Sequence, residues 1–217
     1  MWAYIKDNKI EQIYQRPKSL VLGEVRYPSN MFTKYTDAEK AAIGIYPVED
    51  SGTKGDDRFE YTSGPTYTWS ASDKKVTTSY TITAKSLVDV ESKDDDGNNI
   101  LDEKGNKIYI YGLKTVAKNL AKQQANNYIS RFNWLVERSI YDSSKPIPDA
   151  VKTYVAAIKT DCAEIETAID NASDMAAFKA LHQDTYNYDS NKNIVSVKEV
   201  ARINRWSDDY DVQQYVR

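Results

Sequence analysis

Cysteine and histidine are nearly absent from this chain, with one residue of each among 217. The single cysteine, Cys162, excludes an intramolecular disulfide. Isoleucines at helical spacing flank it, and this pattern predicts a buried thiol rather than a nucleophile. The single histidine, His182, cannot form a multi-histidine zinc site. Because it falls at the end of a predicted helix, we expect it to cap that helix rather than to act in catalysis.

Glycine-rich segments and long apolar runs are also missing. The eight glycines are scattered singly, so no loop lays successive backbone amides around a phosphate. No apolar run approaches the roughly 18 residues that span a bilayer, and charge follows too soon after Met1 for a secretion signal. We therefore expect a soluble protein that binds no cofactor and contacts no membrane.

Positive charge is not in excess. The chain has 29 basic and 32 acidic residues with the signs interspersed, for a net charge of -3. Nucleic-acid binding requires a basic stripe, and none is present, so we expect no nucleic-acid partner. Acidic pairs are numerous, but nothing singles out one pair for hydrolytic chemistry. These features together predict a protein that is not an enzyme.

Amphipathic aromatic residues, by contrast, are abundant. Seventeen tyrosines and four tryptophans stand against four phenylalanines. Tyrosine and tryptophan combine an apolar ring with a polar group, which suits half-buried sheets and protein interfaces. This composition favours contact surfaces over enclosed pockets.

The fold class predicted from the sequence is α+β, with an antiparallel β-rich domain over residues 1–111. Residues 2–14 predict a hairpin that turns at Asp7-Asn8-Lys9. Thr36 and Glu39 have the spacing of a capping box, which predicts one short helix among the strands. Gly44 is placed to end that helix, since glycine adopts the left-handed conformation without steric cost.

Alternating apolar residues from Phe59 to Ala84 predict further antiparallel strands in a meander or small sandwich. The expected turns are Ser63-Gly64-Pro65 and Ser72-Asp73-Lys74. Residues 89–107 are strongly polar and predict an exposed loop or two tight turns. The stretch from Asp94 to Asp96 partly matches a calcium-binding loop but lacks its first carboxylate, so a solvated turn is favoured. No internal repeat is evident.

Residues 112–182 have apolar positions at helical spacing and predict a helical hairpin with a third helical segment. One long helix is expected from Leu113 to Val136, and prolines at 146 and 148 interrupt the pattern before a second helix. Residues 183–217 predict an extended aromatic tail with too little apolar mass to fold alone.

Two sets of side chains are singled out for structural roles. Trp134 and Arg138 lie four residues apart on one helix face, which predicts stacking of the guanidinium on the indole and a contact that fixes the fold. Trp206, Tyr210 and Tyr215 lie in the tail, so we expect them to pack on the body of the protein or on another subunit. They are the candidate subunit-interaction residues.

Two phrases of the sequence carry a family resemblance. The first runs from Tyr27-Pro28-Ser29-Asn30 through Thr36-Asp37-Ala38-Glu39-Lys40 to Gly44-Ile45-Tyr46-Pro47-Val48. The second is Asn133-Trp134-Leu135-Val136-Glu137-Arg138 followed by Ile147-Pro148. Together they resemble small tail or tail-fibre-associated virion proteins of phages, over most of residues 26–181. Asn133 stands where that family commonly has aspartate.

The resemblance implies a structural component of a bacteriophage tail, such as a fibre, adaptor or baseplate-associated protein, that joins or decorates other virion subunits. Its implied partners are other tail subunits and further copies of itself, in a virion made in the host cytoplasm. A tail-fibre assembly chaperone that leaves the finished particle is an alternative. A host-surface glycan-binding module is a second alternative, which depends only on exposed aromatic residues.

Overall fold

The computed structural model of the chain describes residues 1–216. The chain forms two compact units, one from Met1 to Ala84 and one that begins at Lys85. The architecture is α+β, with strands predominating in the first unit and helices in the second. Residues 85–111 group with the helical unit, although the sequence placed the boundary after 111, because their strands pair with one another and not with the main sheet.

The first unit is built on a five-stranded sheet. Its strands, in spatial order, are β2 (Lys9–Tyr14), β1 (Trp2–Lys6), β5 (Ile45–Glu49), β7 (Lys75–Ala84) and β6 (Glu60–Ser70). All neighbours are antiparallel except β5 and β7, which are parallel. Between β2 and β5 the chain forms a small hairpin and two short helices, namely β3 (Leu20–Leu22), β4 (Val25–Tyr27), α1 (Met31–Lys34) and α2 (Asp37–Ala42).

Strand β1 buries side chains on both faces of this sheet. One face packs Trp2 against Phe32 of α1, with ring centroids 4.7 Å apart. The other face buries Ala3 and Ile5 against Val76 of β7. The predicted hairpin is confirmed, and Asp7 and Asn8 both have positive φ, as the tight two-residue turn between β1 and β2 requires.

The predicted turn at Ser63-Gly64-Pro65 is wrong, whereas the one at Ser72-Asp73-Lys74 is present between β6 and β7. Strand β6 continues through Gly64 and Pro65 and pairs with β7 on both sides of them. The pairing shifts by a bulge at these two residues. Proline has no N–H donor, and an edge strand tolerates this because only one of its sides pairs with another strand.

The capping box of α2 is complete. The backbone N–H of Glu39 donates to Thr36 Oγ1, and the N–H of Thr36 donates to Glu39 Oε2 at 2.7 Å. Gly44 follows this helix with a φ of +80°. A Cβ at Gly44 would lie 2.6 Å from the carbonyl oxygen of Ile5, whose own N–H donates to the Gly44 carbonyl. The helix end is thus fastened directly to β1.

The second unit contains two two-stranded sheets and four α-helices. The elements are β8 (Val90–Glu91), β9 (Tyr109–Ile110), α3 (Leu113–Ser130), α4 (Asn133–Tyr141), α5 (Asp149–Asn171), α6 (Met175–Ala180), β10 (Thr185–Tyr188) and β11 (Ile194–Glu199). Two 3₁₀ helices, Arg202–Asn204 and Tyr210–Tyr215, follow. Helix α5 has a continuous buried stripe and packs against α3, whose buried residues are Ala121 and Ala125.

The single long helix expected from Leu113 to Val136 is instead two helices. Helix α3 ends at Ser130, and α4 begins at Asn133. Phe132 lies at the break and is buried, with its ring edge-on to Tyr154 of α5 at 5.7 Å. The spacing of apolar residues between Leu113 and Val136 could not predict this break, because the break depends on packing against α5, which lies later in the chain.

Substitution of Gly44 tests the junction of α2 with β1. We expect Gly44→Ala to lower the free energy of unfolding by about 3 kcal/mol, because left-handed strain adds to the collision with Ile5. Gly23 is the matched control, since it also has positive φ but has open space where a Cβ would lie. Gly23→Ala should cost about 1 kcal/mol. Equal losses in urea denaturation of the two variants would contradict this account.

Candidate functional site

Trp134 and Arg138 of α4 form the stacked pair that their spacing predicts. The Arg138 guanidinium carbon lies 5.1 Å from the centre of the Trp134 ring. The indole Nε1–H donates to the backbone carbonyl of Tyr215 at 3.0 Å, a contact that the sequence did not reveal. The pair therefore joins α4 to the last described residues of the chain.

Residues 201–216, here called the strap, run along α5 in the opposite direction. Near the start of the strap, Arg202 pairs with Glu164 of α5 at 2.7 Å. Further along, the N–H of Ser207 donates to Asp161, which lies nearer the beginning of α5. Val212 then reaches the first turns of α5, and it is 1% exposed. The polar end of the chain is thus held by its own helices.

Arg131, at the break between α3 and α4, anchors the middle of the strap through an ion pair with Asp209 at 3.2 Å. A hydrogen bond from Gln213, together with the Arg131 charge, holds the pKa of Asp209 below its usual value. The stabilisation from this carboxylate is present above the pKa of the unfolded chain and is lost as the pH falls through the lowered folded-state pKa. The pair is partly exposed, so solvent weakens its contribution.

The three tail aromatics have different surroundings. Trp206 is half-buried against Tyr128 of α3, with ring centroids 5.5 Å apart. Tyr215 is half-buried and supplies the carbonyl that Trp134 binds. Tyr210 is 79% exposed. Of the candidate subunit-interaction residues, Tyr210 alone presents most of its side chain to solvent.

One turn occurs three times in the second unit, a repetition that was not predicted from the sequence. The segments from Asp94 to Asn98, from Asp102 to Asn106 and from Asp189 to Asn193 share the same bonds. In each, the aspartate carboxylate accepts from two backbone N–H groups and from the asparagine side chain, while the fourth residue has positive φ. The Asp94 carboxylate therefore accepts hydrogen bonds within a hairpin turn, and the turn favoured from the sequence is present at this stretch.

The first two turns belong to a three-way β junction. The N–H of Ser92 donates to the carbonyl of Ile108, that of Ile108 to Ile100, and that of Ile100 back to Ser92, all within 2.8–2.9 Å. These three hydrogen bonds form a ring, and three β ribbons extend outward from it, one of which is formed by β8 and β9. The signal was available in the sequence, because aspartate, glycine, asparagine and isoleucine recur eight residues apart.

The ribbon of β10 and β11 is largely exposed to solvent. Every residue of β11 is exposed, and Val195 is 66% exposed. Tyr186 lies opposite Val197, while the Asn187 amide donates to Ser196 on the polar side. Two register shifts interrupt the pairing. Bulges of this kind discourage strand addition at an edge, so the ribbon is better suited to contact through its apolar side.

An apolar groove beside α4 was also missed. It encloses about 140 Å³, and its walls come from the break between the helices, from α4, and from the beginning of α5, with lining residues Ile129, Phe132, Asn133, Val136, Ile147, Val151, Lys152 and Val155. Directly beyond it on α4, Ile140 and Tyr141 are 74% and 90% exposed. The groove and these two projecting side chains leave apolar surface of the helical bundle open to solvent.

Cys162 and His182, the two candidate reactive side chains, both pack against other residues of the chain. Cys162 is buried on α5, as predicted, with Sγ 3.5 Å from Glu166 Oε1. His182 lies just beyond α6, where its ring packs on Phe178 with centroids 4.9 Å apart. Over residues 1–216, no three histidine, cysteine, aspartate or glutamate side chains are grouped to hold a metal ion. None of the described helices is both long enough and apolar enough to cross a membrane.

Burial and the neighbouring Glu166 both raise the pKa of the Cys162 thiol. Because the thiolate is the reactive form, we expect the folded chain at pH 8 to react with a disulfide reagent at least about tenfold more slowly than the chain in denaturant. Absorbance of the released aromatic thiol measures both rates, and similar rates would contradict the buried position.

The strap should contribute measurably to stability through Val212. We expect Val212→Ala to lower the free energy of unfolding by about 2 kcal/mol, since it removes buried apolar surface. Tyr210→Ala removes a mostly exposed ring from the same 3₁₀ helix and should change it by less than about 0.5 kcal/mol. Denaturant titration distinguishes them, and an unaffected Val212→Ala variant would mean that the strap does not hold in solution.

No protein-family model, no curated protein and no solved structure matches this chain. What the protein does must therefore be inferred from its own residues and surfaces.

Proposed function

We propose that this protein is a non-enzymatic structural component of a bacteriophage tail, a fibre, adaptor or baseplate-associated protein that joins or decorates other virion subunits. The observation that carries the proposal is the exposure of large apolar side chains on the second unit. They include Ile140 and Tyr141 on α4, Val195 on β11, and Ile110 and Tyr111 at or just after β9, each at least 62% exposed. Exposed apolar surface of this kind is typical of sites that contact other proteins.

The resemblance of most of residues 26–181 to tail-associated proteins is the reason for proposing a phage tail as the assembly. Its second phrase falls on α4 and on the connection to α5. Within that phrase, the Trp134–Arg138 pair faces the strap, while Val136 is exposed at the groove. The phrase thus combines an internal contact with a contact surface, an arrangement suited to a subunit that joins others.

The strap bears on how such a subunit attaches. Because Trp206 and Tyr215 are already engaged within the chain, they contribute little free surface for another subunit. Attachment is better served by the ribbon of β10 and β11, by the exposed residues around β9 and by α4. A chaperone that leaves the particle would use the same surfaces, so retention in the virion is the property that separates the two functions.

The decisive measurement is quantitative mass spectrometry of the salt-washed particles of the phage that encodes this chain. A structural component should remain at a constant number of copies per particle, comparable to that of other tail proteins. Detection in the infected-cell lysate together with loss from washed particles would instead favour the assembly chaperone. Absence of association with tail proteins in both samples would overturn the proposal.

A further inference from the structure

A cavity of about 250 Å³ lies between the strap and the first turns of α5. Both elements contribute to its lining, which consists of Ala150, Thr153, Tyr154, Ala157, Ser207, Asp208, Asp211 and Val212. From this lining, we infer that the cavity binds a primary ammonium group on a short aliphatic chain, as in a lysine side chain or a small alkyl amine. The site is independent of the proposed place in a phage tail.

Tyr154 supplies a buried polar group beside the cavity. The residue is 6% exposed, and its ring lies edge-on to Phe132. Its hydroxyl has no hydrogen-bond partner among residues 1–216. Burial raises the pKa of this hydroxyl, so it stays protonated at neutral pH and keeps lone pairs that can accept a hydrogen bond. An unsatisfied buried hydroxyl costs free energy, which a donor bound in the cavity offsets.

The charged residues of the lining are both acidic. Asp208 and Asp211 lie three residues apart on the strap, and neither forms an ion pair or a side-chain hydrogen bond within residues 1–216. The neighbouring Asp209, by contrast, is paired with Arg131 and is not part of the lining. Among the described lining residues there is no lysine, arginine or histidine. Two uncompensated carboxylates beside one cavity favour a cation.

The number of acceptors indicates which kind of cation fits. A hard divalent ion requires about six oxygen ligands, and over residues 1–216 no three acidic, histidine or cysteine side chains are grouped to hold one. A primary ammonium group has three N–H donors and no acceptor. The two carboxylates and the Tyr154 hydroxyl together offer an acceptor for each donor.

The remaining walls suit an aliphatic chain. Ala150, Ala157 and Val212 are apolar, and Val212 is 1% exposed. A chain of methylene groups can lie against these side chains while its charged end stays with the exposed carboxylates of the strap, as lysine side chains do on apolar surfaces. A hydrated inorganic cation gains nothing from such walls, because it has no apolar surface to remove from water.

Titration of the full chain with pentylamine, followed by the amide NMR signals of residues 207–212, tests this site. We expect saturable shifts of these signals. Pentanoate should cause none, since it has a similar aliphatic chain and the opposite charge. No saturable shifts with pentylamine, or equal shifts with pentanoate, would overturn the inference.

Two substitutions test the assigned acceptors. We expect Asp211→Asn and Tyr154→Phe each to weaken pentylamine binding about fivefold, because each removes one partner of the ammonium group. Asp95→Asn, on an exposed turn, is the matched control and should leave binding unchanged. Carboxylates near the first turn of a helix can also stabilise it, so thermal unfolding of each variant is measured alongside. Unchanged affinity in both variants would refute the site, as would losses that only follow a lower melting temperature.

Comparison with Nα-acetyl-lysine methylamide identifies the source of the ammonium group. Affinity close to that of pentylamine means that a backbone fits at the mouth of the cavity, and a lysine of a partner protein is then the natural ligand. Binding of pentylamine alone means that a free amine is.

Discussion

The packing of α5 against its neighbours is the constraint on which the second unit depends. Its buried stripe includes Ile158, Ile165 and Ile169, each without measurable exposure. Helix α3 packs on one side of α5, and the strap contacts another. Neither α3 nor the strap has enough apolar surface to form a core without α5. The long helix therefore determines where the break before α4 and the end of the chain must lie.

The strap is a polar, aromatic segment that packs on helices of its own chain. Its composition resembles that of an interaction tail, yet its polar groups pair with Asp161, Glu164 and Arg131 along a preformed helical surface. Few apolar residues are needed when the helices already provide a core and the remaining backbone groups find partners there. Surfaces that remain open are consequently on the ribbons and on α4.

Local features of the fold were predictable from the sequence, and non-local ones were not. The hairpin at Asp7-Asn8 and the capping box at Thr36 depend on neighbouring residues, so short-range chemistry specifies them. The parallel pairing of β5 with β7 and the helix break at Phe132 depend on contacts far apart in the chain. Strand continuity through Pro65 also depended on β7, which supplies the pairing on both sides.

Candidate site residues followed the same division. Stacking of Arg138 on Trp134 could be predicted, because both side chains lie on one helix. The groove beside α4 could not, since α5 supplies Val151 and Val155 to its walls. The eight-residue recurrence in the ribbons was an exception. It was readable in the sequence as Asp94 with Asp102 and Ile100 with Ile108, and only its geometry required the structure.

The ring of three backbone bonds at Ser92, Ile100 and Ile108 also bears on how the protein can be altered. Since N–H and carbonyl groups close the ring, side chains at the ribbon tips are not needed to hold it. Matched additions to both arms of a ribbon preserve its pairing, whereas a single added residue shifts the register and turns side chains to the opposite face. The two tips are therefore natural places to graft a peptide tag or epitope.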